Sequence, residues 1–191
     1  MQLEQAWEIF RRTGVMLEGH FRFTSGLHSD RYMQCARLFQ YPVESARVCE
    51  EIAGAFQDKN VDIVVGPALG GIIIAYEIAR VLEARSLFAE REEGVMTLRR
   101  GFADAVTKGC RALVTEDVVT TGGSTREVME LLRAQGAEVV GVGAVVDRSN
   151  GAVDFGVPFY ALATLDMKAW DAADCPLCRQ GAPLVKPGSR K

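Results

Sequence analysis

From Val61 onward, short apolar runs alternate with segments of helical spacing, and few folds admit that alternation. Val61-Asp62-Ile63-Val64-Val65 reads as a buried strand, Gly70 to Ala84 as a helix apolar nearly all round, and Ser86 to Glu90 as a short strand. Arg111 to Thr115 is the next strand, followed by a loop and a helix that runs to Gln135 and stops at Gly136. Val139 to Val146 and Phe159 to Leu165 are further strands. Strands separated by helices pair in parallel, so the expected class is α/β, a mostly parallel sheet flanked by helices. Upstream, Ala6, Ile9 and Phe10 share one face of a helix over Leu3 to Arg12. Pro42 opens a second helix to about Gln57, with Val48, Ile52 and Phe56 in register. The 191 residues suit one domain: 1–60 as a small N-terminal hood, 61–166 as the α/β core and 167–191 as a tail. The stretch from Pro183 to Lys191 is expected to fray.

In parallel sheets ligands sit at the carboxyl ends of strands. Loops starting at Gly66, Glu116 and Asp147 all fall at such ends and point to one crevice. The most informative of them follows Ala112-Leu113-Val114-Thr115: Glu116-Asp117-Val118-Val119-Thr120-Thr121-Gly122-Gly123-Ser124. Two glycines allow a tight turn with uncovered N–H groups, and the threonines add hydroxyl donors. The start of the next helix adds unpaired N–H groups and a positive dipole end. That is a cradle for phosphate. Glu116 and Asp117 would repel phosphate; they suit sugar hydroxyls or a cation beside it. A phosphorylated sugar held near Mg2+ satisfies both halves. Ser124-x-x-Glu127 also matches a helix capping box. Capping accounts for those two residues and leaves Glu116, Asp117, Thr120, Thr121 and the glycine pair unexplained.

A net charge of -3 with 25% charged residues gives no broad basic field, so nucleic acid is not an expected partner. No apolar run reaches membrane-spanning length, and Met1 to Arg12 carries acids without the apolar segment of a secretory signal; a cytoplasmic protein is expected. Five cysteines, an odd count, argue against a fully paired disulfide framework. Cys35, Cys49 and Cys110 stand singly among apolar or helical residues and are expected to be inert. Cys175-Pro176-Leu177-Cys178 has the spacing of half a zinc site. One pair cannot complete a tetrahedron, and His20 and His28 are distant in sequence. A structural turn is expected there, a metal shared between two subunits being the alternative. Neither G-x-G-x-x-G nor a P-loop motif occurs, which disfavours dinucleotide and P-loop enzymes.

The run Glu116 to Ser124 resembles the phosphoribosyl-diphosphate (PRPP) signature of the phosphoribosyltransferases, an apolar strand, two acids and a Thr/Gly loop. Among these the chain looks most like the orotate phosphoribosyltransferases. Phe23-Thr24-Ser25-Gly26-Leu27-His28-Ser29-Asp30-Arg31-Tyr32 is similar to their N-terminal Ser-Gly…Ser…Tyr/Phe segment. Val65-Gly66-Pro67-Ala68-Leu69-Gly70-Gly71-Ile72 resembles their second glycine-rich loop, and Val146-Asp147-Arg148 their late Asp-Arg. The resemblance implies transfer of ribose 5-phosphate from PRPP to orotate, with Mg2+ carried by PRPP and no direct protein ligand to the metal. It also implies a homodimer. Thr120, Thr121, Gly122, Gly123 and Ser124 would hold the 5'-phosphate, with Val118 and Val119 in the same PRPP segment. Glu116 and Asp117 would hold the ribose hydroxyls. Gly70, Gly71 and Arg91 would meet the pyrophosphate, and Thr120, Arg148, Tyr32 and Met33 the orotate.

Many members of that family carry Arg-Lys, then Lys and His, in a mobile loop. Here the matching Ala89 to Gly101 is shorter and has no Lys or His. Arg91 keeps the first basic position, and Arg99 and Arg100 could bring charge to the pyrophosphate; a solvated turn is the plainer account of the latter two. Lys positions near the two earlier loops are taken by Thr24 and Gly70. His28 could touch ligand or form a local hydrogen bond in its loop. Transfer to another nucleobase, or PRPP sensing without catalysis, are the competing functions.

Overall fold

The computed structural model describes residues 3–23 and 25–187. Its centre is a six-stranded sheet. In spatial order the strands are β5 (Val95–Thr97), β4 (Arg85–Glu92), β3 (Ile63–Pro67), β6 (Arg111–Val119), β7 (Glu138–Asp147) and β8 (Phe159–Thr164). Pairing is parallel from β4 across to β8, and only the β4–β5 hairpin is antiparallel. This is the expected class. From β3 the chain winds outward to β4, then returns to the other side of β3 as β6. The winding therefore reverses between β3 and β6, which opens a crevice beyond their carboxyl ends.

Alternate residues of the central strands feed two cores. Val64, Leu113 and Val145 face α1 (Leu3–Arg12), α2 (Pro42–Gly54) and α3 (Gly70–Leu82). Ile63, Val65, Ala112, Val114 and Val142 face α4 (Gly123–Ala134) through Val128, Met129 and Leu132. Burial on both faces is why these strands read as unbroken apolar runs.

Residues 1–60, read from sequence as hood, divide in the structure. α2 packs on the sheet: Ile52 and Phe56 rest on the bare backbone of β7. A Cβ at Gly141 would lie 2.4 Å from the Phe56 ring, and one at Gly143 2.8 Å from Ile52 Cγ2. The hood proper is a separate three-stranded sheet, β2 (His28–Met33), β1 (Met16–Arg22) and β9 (Leu184–Val185). β1 and β2 pair antiparallel, and His20 and Phe21 pair in parallel with Leu184 and Val185. The tail thus returns to the hood, and the fraying expected from Pro183 does not apply to these two residues. Residues 188–191, and Thr24 in the first motif, lie outside the described residues.

β6 is longer than its apolar run suggests. Beyond Thr115 its partner β7 continues as far, pairing Val118 with Val146 and Val119 with Asp147. Glu116 and Asp117 are consequently strand residues rather than loop residues, and the turn shrinks to Thr120–Gly122. Among the described residues no helix is long and apolar enough to cross a membrane.

Candidate active site

The turn after β6 closes through Gly122, at φ 74°. Its Cβ would stand 2.8 Å from the Phe155 ring, so glycine is needed for conformation and for space. Gly122 is also the N-cap of α4, and no side chain caps that helix. The capping box read from Ser124 and Glu127 does not form. Ser124 Oγ instead donates to Glu116 Oε2 at 2.7 Å, and Glu127 pairs with Arg91. The first amides of α4 thus have no side-chain cap and lie beside the exposed Thr120 and Thr121.

Across the switch point, Gly66 and Gly71 pack backbone against backbone. A Cβ at Gly66 would lie 2.2 Å from the Gly71 carbonyl oxygen, and one at Gly71 2.8 Å from the Pro67 ring. The Ala68–Leu69 peptide is cis, and Leu69 is 84% exposed. A Cβ at Gly70 would stand 2.6 Å from Asp117 Oδ2. That contact brings the two loops together and explains why no longer side chain occupies position 70.

Glu116 is 7% exposed. Burial first, then the charge of Asp117, pushes its carboxyl from the usual 4.5 up to about 8, against the opposing hydrogen bonds from Ser124 and the Asp117 amide. The folded chain therefore holds a proton there that the unfolded chain releases. The stability this group contributes is complete below pH 4.5 and is lost as pH rises through about 8. Glu116→Gln is expected to flatten the decline of Tm across that window, measured by calorimetry in a pH series. An unchanged slope would count against the assignment.

Asp147 accepts the Ser149 amide at 2.7 Å and the Gly151 amide at 3.0 Å, building the turn that follows β7. The Arg148 amide donates to Val119 O at 2.8 Å, so Arg148 and Thr120 emerge side by side. The Arg148 guanidinium lies 4.8 Å above the Phe23 ring. Tyr32 joins this platform, with ring centroids 5.8 Å from Phe21 and 6.4 Å from Phe23. Among the described residues Arg148 Nε is buried without a hydrogen-bond partner, and burial pulls its pKa down. A buried unpaired guanidinium N–H is costly unless something accepts from it. Met33 belongs to the core under the hood, so only its backbone can face the crevice. Cys35 is buried, and burial and the charges of Asp117 and Glu116 push its thiol well up, Arg148 opposing.

The segment from Ala89 to Gly101 is not an open loop in its first part. Glu93 and Gly94, at φ 50° and 87°, make a two-residue hairpin turn between β4 and β5. Each arginine here has an acidic partner: Arg91 with Glu127 at 2.8 Å, Arg99 with Glu92 at 3.5 Å, Arg100 with Glu90 at 3.0 Å. These pairs are largely exposed and contribute little, so an anion could draw the arginines away.

Two features escaped sequence reasoning. The stacking of Arg148 on Phe23 joins residues of separate motifs. His28, taken for a loop residue, is a buried strand residue that turns away from the crevice toward His20 and the Cys175–Cys178 turn. His-x7-His with Cys-x2-Cys was the signal available for that cluster.

A glycine-closed turn at a helix start, two adjacent carboxylates and a glycine loop thus meet around the switch point, the arrangement expected of a phosphoribosyltransferase. The sequence profile of the phosphoribosyl transferase domain matches residues 41–171, and the chain belongs to that family. An orotate phosphoribosyltransferase from Caldanaerobacter subterraneus subsp. tengcongensis is 56% identical over 191 residues, covering 100% of both chains. One from Thermotoga maritima is 58% identical over 183 residues, covering 96% of this chain and 97% of its own. The crystal structure of orotate phosphoribosyltransferase from Aeropyrum pernix superposes with a TM-score of 0.70 at 27% identity, covering 83% of this chain and 92% of that one. Within the family the chain groups with the orotate phosphoribosyltransferases.

Proposed function

We propose that the chain transfers the 5-phosphoribosyl group of PRPP to orotate, giving orotidine 5'-phosphate and pyrophosphate in the synthesis of UMP. The C1–O bond to diphosphate breaks, a bond from C1 to orotate N1 forms, and the N1 proton leaves to diphosphate or solvent. Positive charge grows on the ribose while negative charge grows on the leaving group, so electrostatics and positioning do the catalysis. The observation that carries this reading is Arg148. Its guanidinium carbon lies over Phe23, its backbone is tied to the end of β6 beside Thr120, and its buried Nε has no partner among the described residues, so a planar anion such as orotate would supply an acceptor.

In this assignment the amides after Gly122, that of Ser124 among them, and the hydroxyls of Thr120 and Thr121 take the 5'-phosphate, and the Ser124 hydroxyl would have to turn from Glu116 to join them. Asp117 and Glu116 accept from the ribose hydroxyls, and Asp117 faces the charge developing on the ring. Gly70 and Gly71 let pyrophosphate approach the backbone, and Arg91 and Arg99 exchange Glu127 and Glu92 for its oxygens. Tyr32 and the Met33 backbone cover the base. The acidic pair beside a phosphate cup fits Mg2+ that arrives with PRPP, where it would neutralise the leaving group. Ile73 and Tyr76, exposed one turn apart on α3 beyond Leu69, support a homodimer. Water-soluble substrates such as PRPP and orotate support a place in the cytoplasm.

Loss of orotate absorbance on adding purified protein, PRPP and Mg2+ tests the reading, with uracil and hypoxanthine as controls. Turnover of a control base but not orotate would overturn it. Arg148→Ala is expected to raise the KM for orotate about 10- to 100-fold, the worth of one charged hydrogen-bonding group, with a smaller change in the KM for PRPP. An unchanged orotate KM would remove Arg148 from the base site.

A further inference from the structure

Outside the crevice, four metal-binding side chains meet at one point: His20, His28, Cys175 and Cys178, with all ligand atoms within 4.8 Å of one another. His20 Nε2 lies 3.0 Å from His28 Nδ1, 3.5 Å from Cys175 Sγ and 3.7 Å from Cys178 Sγ. Cys178 Sγ is 3.3 Å from His28 Nδ1. Tetrahedral zinc has bonds of about 2.3 Å to sulfur and about 2.0–2.1 Å to nitrogen. Its ligand atoms then stand roughly 3.3 Å apart for N and N, 3.6 Å for N and S, and 3.8 Å for S and S. The observed separations are close to these.

The surroundings orient the donors. His20 Nδ1 is 2.9 Å from the Ala182 carbonyl, which can only accept, so Nδ1 carries the proton. In the neutral ring the lone pair on Nε2 then points into the cluster, an arrangement common for metal-bound histidine. A hydrogen bond between the two imidazoles would satisfy one pair of nitrogens and leave both thiols, which are weak donors, crowded onto the same atoms. The ligands are also fixed from three directions. His20 lies in β1 and His28 opens β2, where it pairs with Trp170 through hydrogen bonds of 2.8 and 2.9 Å. Cys175 and Cys178 sit at the start and in the middle of one short turn, α5 (Pro176–Arg179). His20, His28 and Cys175 are buried, while Cys178 lies at the surface and gives a metal its entry path.

We infer that this chain binds one Zn2+ through His20, His28, Cys175 and Cys178, a structural site within a single subunit that staples the C-terminal turn to the hood. All four positions are filled by protein, so the site has no open coordination place for catalysis. The ligand set of two nitrogens and two sulfurs selects zinc over Mg2+ or Ca2+. On binding, both thiols release their protons to solvent and coordinate as thiolates.

Full-length protein purified without chelator is expected to contain one zinc per chain by plasma mass spectrometry, released by a mercurial thiol reagent. Exchange with Co2+ should give the intense visible bands of a tetrahedral site and a thiolate-to-metal charge-transfer band. Cys178→Ala removes a surface side chain and is expected to fold, yet to bind Zn2+ at least about 100-fold more weakly. Should that variant misfold, the Co2+ spectrum of the wild-type chain still decides the question. Absence of zinc from the purified protein, together with no Co2+ bands on the reduced apoprotein, overturns the site. So does a full complement of iron in its place, or unchanged Zn2+ affinity in Cys178→Ala.

Discussion

Gly66→Ala is expected to lower kcat/KM for PRPP by about 10²-fold or more, the scale on which a displacement of about 1 Å acts at a reacting centre. The added methyl would stand 2.2 Å from the Gly71 carbonyl oxygen and 2.7 Å from its carbon. Both are backbone atoms, held on one side by β3 and on the other by the first turn of α3. No rotamer change relieves such a clash, so the whole Gly66–Gly71 loop must shift. Asp117, against which Gly70 packs, then loses its place opposite the loop. Steady-state kinetics with varied PRPP, alongside circular dichroism to confirm folding, measure the effect. A well-folded variant with normal PRPP kinetics would show that the loop does not meet the donor substrate.

Asp117→Asn is expected to cut kcat by about 10²-fold with folding intact. The substitution keeps the shape and one acceptor oxygen, turns the other into an amide donor, and removes the negative charge that faces the developing positive charge on the ribose. It also removes the charge that helps hold Glu116 protonated, so the Glu116 carboxyl should ionise at lower pH in the variant. A fall in kcat with little change in the KM for PRPP would mark an interaction made mainly in the transition state. Undiminished kcat would remove Asp117 from the mechanism.

Which parts of this molecule could be read in advance follows from how its residues are buried. β3, β6 and β7 are covered on both faces, so their runs of Val, Ile, Leu and Ala stand out, and the loops at their carboxyl ends are located at the same time. The end of β6 is not legible in the sequence, because Glu116 and Asp117 have the character of loop residues. Their place in the strand is decided by β7, a partner far along the chain. β1 and β2 went unread because they are half exposed: in β2, Asp30, Arg31 and Tyr32 interrupt any apolar pattern. The crevice residues were legible because they cluster in short motifs. The four metal-binding side chains were not, since His20 and Cys175 are separated by 155 positions. Only the return of the tail along β1 unites them. Arg148 shows the intermediate case, visible as half of an Asp-Arg pair, while its seat on Phe23 depended on how the hood closes.

That return has a bearing on the order of folding. Met16–Arg22 and His28–Met33 are synthesised well before Leu184–Val185, the strand that completes their sheet. During synthesis the early hairpin has a bare flank while the α/β body assembles behind it, and two strands alone are marginal in water. A sheet begun by an early hairpin is thus closed only by a strand made much later.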